Sequence, residues 1–227
     1  MKIRSILLAL VICLCTLSAS AQHYVRTKKN IGIFASYYIP DYSMAKGNNA
    51  GNTQGTGFAI GVTHEMKRFF FPELFFVSHT SNAYIPDNSS TFHQSRVQSS
   101  ALGAGLIFKY DLFRFDQHKK KGNCFGRVLN FIIGPEYTYP VGLRAPASGF
   151  QQNGEFAAKA GLGMYSIWGG SSKNHMSWVI HWEVYYRRGL TPYLQSDIPF
   201  ASEKYTLSSL GITLRVMYFR SYKFSDM

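Results

Sequence analysis

The sequence is poor in three features that mark common classes of protein. Only three of its 227 residues are cysteine, and Cys13 and Cys15 lie in an N-terminal segment that we expect to be removed. Cys124 would then remain alone, which excludes an intramolecular disulfide. No apolar run after residue 21 reaches 18 residues, so no transmembrane helix is expected in the mature chain. Acidic residues are scarce, at 12 against 24 Lys and Arg.

Residues 1–21 have the three parts of a signal peptide: a positively charged start, a short apolar run over 6–17 and an A-x-A site that ends at Ala21. This pattern predicts export and cleavage between Ala21 and Gln22. Without the two positive residues of the segment, the mature chain carries +10 instead of +12. Because an exported protein rarely meets nucleic acid, this excess predicts contact with anionic lipid, including lipopolysaccharide, and no nucleic-acid partner.

Nearly every apolar segment of the mature chain alternates with a period of two residues, which predicts β-strands. In one segment, for example, Trp178, Trp182 and Tyr186 share a face, while Glu183 and Arg187 share the other. The segments are longer than the roughly 5–6 residues usual for soluble strands, and they match the roughly 9–11 residues that cross a bilayer at a tilt. Eight strands are predicted, over 30–39, 55–66, 69–80, 96–113, 124–141, 154–168, 176–190 and 204–219.

The two strand faces and the connections favour a membrane barrel over a soluble one. The polar face is rich in glycine and tyrosine, and the apolar face carries aromatic residues near strand ends. Long connections alternate with shorter ones, as in outer-membrane barrels; the long ones are 40–54, 81–95, 142–153 and 191–203, and the short ones are 67–68, 114–123 and 169–175. We therefore predict a closed, antiparallel, up-and-down transmembrane β-barrel of eight strands, with ten strands as the alternative. The predicted organisation is a signal peptide at 1–21, a periplasmic segment at 22–29, the barrel at 30–220 and a tail at 221–227.

Charged residues on the polar face are predicted to form ion pairs inside the barrel, because an unpaired interior charge is costly. Strand parity and height place Glu136 beside Lys159 and Glu183 beside Arg215. His181 shares a strand face with Glu183, and we favour a hydrogen-bond network there over a metal site.

Three aromatic residues are predicted to form a belt at the periplasmic membrane interface. Trp168 and Trp178 lie symmetrically about the turn centred on Lys173, so they should be neighbours across two strands. Tyr218 has the same lipid-facing parity at the end of the last strand. The same turn centre places Tyr185 opposite a glycine, Gly161, which predicts a lumen packed closed by side chains.

Several segments resemble a known family. "FFFPELFFVSHTS" resembles the "L-x-P-E-L-x-Y-S" strand of the outer-membrane β-barrel proteins of Bacteroidetes, the PorT-like family. "LIFKYDLF", "FIIGPEYTY", "AAKAGLGMYSIWGG" and "VYYRRGLTPY" resemble later segments of that family in order. The resemblance implies an outer-membrane barrel without implying one activity, although some relatives serve type IX secretion or gliding. The residues at the positions of the first motif are Phe70, Pro72, Glu73, Leu74 and Phe76.

The closing strand, "SLGITLRVMYF", resembles the signal read by the barrel-assembly machinery, which is therefore an expected partner. A periplasmic or secretion-complex partner is the other expectation. We find no catalytic constellation and predict no cofactor and no metal. The expected role is a structural or binding element, acting through the long loops or the periplasmic rim. The alternatives are a lipid-modifying enzyme using Ser78, His79 and His93, a porin if the barrel has ten or more strands, and a soluble carrier.

Overall fold

The computed structural model describes residues 30–44, 55–66, 70–86, 92–120, 123–144, 150–170, 177–196 and 204–219. The signal peptide, its cleavage site, the segment 22–29 and the tail 221–227 lie outside these residues. Within the described part of the chain, no helix is long and apolar enough to cross a membrane. The elements are β1 (Asn30–Met44), β2 (Thr56–Glu65), β3 (Phe70–Pro86), β4 (Phe92–Lys120), β5 (Asn123–Arg144), β6 (Phe150–Gln152), β7 (Glu155–Gly170), β8 (Ser177–Gly189), β9 (Leu194–Ser196) and β10 (Lys204–Phe219).

Eight long strands close into a barrel. Their order is β1-β2-β3-β4-β5-β7-β8-β10, and β10 pairs back onto β1, so the sheet has no open edge around its middle. Every pairing is antiparallel. The prediction of a closed, eight-stranded, up-and-down antiparallel barrel is confirmed, because each sequence segment with two-residue alternation forms one of these strands.

The prediction differed from the structure in the connections. Most of 81–95 is strand, since β3 continues to Pro86 and β4 begins at Phe92. Most of the predicted turn at 114–123 is also strand, because β4 runs to Lys120 and β5 starts at Asn123. Three register shifts interrupt the β4–β5 pairing, and such β-bulges let two very long strands keep pairing while they bend.

Two short strands, β6 and β9, were not predicted. They pair with each other, and β9 also pairs with the start of β10. They do not enter the closed ring, so the longer connections do not hide a further pair that would widen the barrel. The alternative of ten barrel strands is therefore wrong.

The barrel has an apolar outside and a polar inside. Large apolar side chains face outward on every barrel strand, with Ile33 66%, Leu74 64% and Tyr139 62% exposed. Inward positions alternate with them and are mostly buried; they hold small, polar and charged residues together with a smaller set of apolar side chains. We call the end where β1 begins and β10 ends the terminal end, and the opposite end the loop end. At the terminal end of the lumen, Phe71, Ile107, Val179 and Met217 are buried together.

Candidate functional site

The middle of the lumen is a layer of buried charges. Strand alternation points these side chains inward, and the barrel is narrow enough that they meet across it. Four are acidic and four are basic, so their formal charges cancel. The eight residues are Glu73, Glu136, Glu155, Glu183, Lys109, Lys159, Arg187 and Arg215.

Arg215 on β10 lies at the centre of one cluster. Its Nη1 is 2.6 Å from Oε1 of Glu73 on β3, and its Nη2 is 2.9 Å from Oε1 of Glu183 on β8. The structure thus brings together Glu183 and Arg215, as parity placed them. It also gives the carboxylate of the "FFFPELFF" motif a basic partner inside the lumen.

Arg187 on β8 organises a second cluster nearer the loop end. Its Nε donates to Glu136 at 3.0 Å, and its Nη2 donates to Glu155 at 2.6 Å. Glu155 also accepts the backbone N–H of Leu207 at 3.1 Å. Lys159 lies 3.9 Å from Glu136, within ion-pair range but farther than Arg187. The main partner of Glu136 was therefore missed, although alternation alone had placed Arg187 inside.

His181 links the charged clusters to a neutral amide. Its Nδ1 is 2.8 Å from Glu183 and 2.9 Å from Lys109, while its Nε2 is in hydrogen-bond range of Asn130. The Nζ of Lys159 is 3.6 Å from the other carboxylate oxygen of Glu183, Oε2. The ammonium groups of Lys109 and Lys159 thus lie close to the pair His181–Glu183, which was considered as a metal site. Among the described residues no group of three or more His, Cys, Asp or Glu could hold an ion.

The loop end of the lumen is closed by a cap that sequence analysis missed. We define the cap as Tyr193, Leu194, Tyr205 and Leu207, which are almost fully buried together. The Tyr193 hydroxyl hydrogen-bonds Ser99 at 2.8 Å and accepts a hydrogen bond from Gln152. Its backbone N–H donates to Tyr205, and its carbonyl accepts from Asn153, both at 2.8 Å. Burial raises the pKa of this phenol to about 12, so it is neutral at ordinary pH.

A small cavity of about 40 Å³ lies between the charged layer and the cap. Its wall includes Glu136, Lys159, Arg187 and the side chain of Tyr193. Thr138 also lines it, and its buried hydroxyl has no hydrogen-bond partner. Since about 10–15 Å³ of such space holds one water, the cavity can hold water bonded to Thr138.

Glycine makes room for large inward rings on the inner wall of the barrel. The register pairs Gly161 with Tyr185, as the turn centre predicted, and Gly163 with Glu183. The Tyr185 ring, however, leans across the next strand and lies where a side chain on Gly211 would stand. Large-over-small packing closes the lumen, but it runs between β8 and β10 as well as between β7 and β8.

Four of the five family-motif residues face the outside of β3, and the fifth, Glu73, faces the lumen. Leu74 faces outward on β3, and the ring of Phe70 packs on that of Phe108 at 4.8 Å. Pro72 lies one residue beyond the last β2–β3 pair, where its missing N–H breaks no bond to β2. Phe76, Pro72 and Phe70 share the outward parity of Leu74.

Trp168 pairs with Trp178 in the β7–β8 register, at the terminal end of both strands. The side chain of Trp178 faces outward, and its ring contacts Tyr218 edge-on at 5.3 Å. The side chain of Trp168 lies outside what the structure describes.

The serine and histidine residues considered for catalysis do not converge. Ser78 and His79 are consecutive on β3, so they point to opposite faces of the sheet. His79 is instead within hydrogen-bond distance of a different serine, because its Nε2 is 3.1 Å from Ser99 Oγ. Its ring also contacts the Tyr193 ring in a tilted arrangement. The side chain of His93 lies outside the described residues.

Comparisons with known proteins gave structural likenesses only. No protein-family model matches the chain, and no curated protein sequence does, so the PorT-like resemblance stays a prediction. Neisserial surface protein A covers 82% of this chain and 96% of its own, with 11% identity and a TM-score of 0.34. OprG from Pseudomonas aeruginosa covers 86% and 96%, with 7% identity and a TM-score of 0.38. Ail from Yersinia pestis covers 83% and 99%, with 12% identity and a TM-score of 0.30. Similarities this low carry no conclusion about function.

Proposed function

We propose that this chain is a transmembrane β-barrel of a Gram-negative outer membrane, with a closed lumen, acting as a structural or binding element through its loop end or its terminal rim. The observation that carries the proposal is the reversal of polarity across the barrel wall. Charged side chains are buried inside, while isoleucine, leucine and aromatic side chains cover the outside. In water such an exterior would be an aggregation hazard; in a bilayer it is the favourable surface.

The outward charges support the same proposal by their position. Of the charged residues whose side chains are described, only Asp41, Arg96, Arg144, Arg188 and Lys204 face outward. All five lie toward the loop end of their strands, so the described side chains at the middle of the outer surface include no charged one. A charge at mid-bilayer on a barrel costs up to about 2–4 kcal/mol, and the cost falls toward the interfaces.

A closed lumen argues against a porin. The charged layer and the cap block the lumen at two levels, and water-filled porins use about 16–18 strands instead of eight. Among the described residues, a role as an enzyme has no support in the geometry, since Ser78 and His79 do not converge. The finer assignment, an accessory of secretion or envelope assembly within the PorT-like family, rests on the motif resemblance alone.

The membrane and lumen parts of the proposal can be tested on refolded protein. The mature chain should float with phosphatidylcholine vesicles, and planar-bilayer recordings should show no stepwise conductance. Recovery in the soluble fraction without detergent would favour the soluble carrier. Stable openings on the nanosiemens scale would restore the porin. An altered lipid A mass spectrum in cells that express the protein would instead favour the enzyme.

A further inference from the structure

The outward-facing charges at the loop end are unequal in sign. Four are basic, namely Arg96, Arg144, Arg188 and Lys204, and Asp41 is the one carboxylate among those described. Asp41 and Arg188 both pair with Ser208, from opposite sides of β10, so they share one region of the wall. Arg96 on β4 and Arg144 on β5 lie on a different side of the barrel.

Arg96 and Arg144 are neighbours on that side of the barrel. Gln98 pairs directly with Arg144, and Arg96 lies two residues beyond Gln98 with the same outward parity. Diagonal positions of this kind are about 7–8 Å apart, within joint reach of two long side chains. Two like charges so placed repel each other, and the described outward positions of β3, β4 and β5 hold no carboxylate.

The arginine pair stands just above the apolar surface. Leu102 pairs with Tyr139, and both side chains are more than half exposed on the outside. Gln98 is four residues farther along β4, which is roughly 13 Å along the strand. At a tilt of about 40° this becomes roughly 10 Å along the barrel axis. Taking Tyr139 as part of the interfacial aromatic girdle of the proposed membrane barrel, we expect the two guanidinium groups near the level of the lipid headgroups.

We propose that Arg96 and Arg144 together bind a phosphate on the headgroup of the outer-leaflet lipid, the chemistry that lipopolysaccharide presents. Each guanidinium can donate two parallel hydrogen bonds to a phosphate, and an anion between the two groups relieves their repulsion. Both residues lie in paired strands, since Arg96 pairs with Asn82 on β3 and Arg144 pairs with Gln98 on β4. This inference rests on the proposed insertion into an outer membrane and names one lipid contact of the inserted barrel.

The test uses mature protein refolded into phosphatidylcholine vesicles, to which lipopolysaccharide is added. Because a ligand that binds the folded state raises its unfolding temperature, the wild-type midpoint should rise with lipopolysaccharide concentration. The double variant Arg96→Gln/Arg144→Gln should need roughly tenfold or more lipopolysaccharide for the same rise, as expected from the loss of charge-assisted hydrogen bonds. The matched control, Arg188→Gln/Lys204→Gln, removes the same charge and should behave as wild type.

Three results would overturn the inference. Equal losses in the two double variants would show general charge attraction without a site. An equal response to dephosphorylated lipopolysaccharide would exclude phosphate as the bound group, and an equal response to inorganic phosphate would exclude the lipid as its source. A different result would contradict the proposed function itself. If the wild-type protein does not enter the vesicles at all, the membrane barrel is contradicted, and this lipid contact is contradicted with it.

Discussion

Arg215 illustrates, at the scale of single residues, what holds the lumen together. Its guanidinium is fully buried and contacts carboxylates on β3 and β8, so one side chain joins three strands. Breaking a buried ion pair by removing one partner typically costs about 3–5 kcal/mol, because the other charge stays buried. Here the loss of one residue would leave both Glu73 and Glu183 without this partner.

Replacing Arg215 should therefore be among the most damaging single changes. We expect Arg215→Gln to lower the free energy of unfolding by about 3–5 kcal/mol, measured by urea unfolding in detergent micelles. Arg188→Gln, on the outside of β8, should change it by no more than about 0.5 kcal/mol. Equal losses in the two variants would mean that the buried contacts contribute little.

A second prediction concerns which base holds Glu136. Arg187 is 3.0 Å from this carboxylate and Lys159 is 3.9 Å away. A double-mutant cycle of Glu136→Gln with Arg187→Gln should give a coupling energy of about 1–3 kcal/mol. The matched cycle with Lys159→Gln should give a smaller one. The reverse order would show that Lys159, as predicted from parity, is the main partner.

Strand parity predicted which charged side chains lie near one another in the lumen, but it could not predict which of them are in direct contact. Glu136, Lys159 and Arg187 are all inward by simple alternation, which the sequence displays. Which base reaches the carboxylate depends on side-chain length and on the stagger between β5, β7 and β8, and neither follows from alternation within a single strand.

At the scale of elements, the strands that were predicted well are those that cross the proposed bilayer. There a strand needs one apolar face, so the alternation is strong. The β3–β4 hairpin continues past that region, where the consecutive residues Ser81 and Asn82 are both polar, and the two-residue alternation that would reveal a strand is missing. The three-residue strands β6 and β9 are too short to show any period, and the cap they support was missed for that reason.

The β8 strand offers a direct measure of depth. Trp178 and Trp182 both face outward and are four residues apart, roughly 13 Å along the strand. In variants that keep one tryptophan, bromine at the end of the lipid chains should quench Trp182 more than Trp178. Bromine near the headgroups should quench Trp178 more.

Each of the two single-tryptophan variants serves as the control for the other. They are Trp168→Phe/Trp182→Phe, which keeps Trp178, and Trp168→Phe/Trp178→Phe, which keeps Trp182. Equal quenching of both by each lipid would contradict the depth order, and no quenching of either would contradict a lipid-facing β8.

At the scale of the whole molecule, the lumen is closed twice, by the cap and by the charged layer. Tyr193→Ala removes the centre of the cap, but the ion pairs of Arg187 and Arg215 remain below it. We expect the variant to stay non-conducting in planar bilayers, like Leu190→Ala, which changes an exposed residue next to the cap. Stepwise openings from Tyr193→Ala alone would show that the cap is the only barrier.

The equal numbers of buried acids and bases have an electrical consequence. With histidine neutral, the four glutamates cancel the two lysines and two arginines, so this layer has no net charge for a membrane potential to act on. The work done by a potential scales with the charge that is moved, about 2.3 kcal/mol per elementary charge per 100 mV. The positive excess of the chain therefore lies outside this layer. A voltage across the membrane would therefore exert no net force on the eight formal charges of this layer.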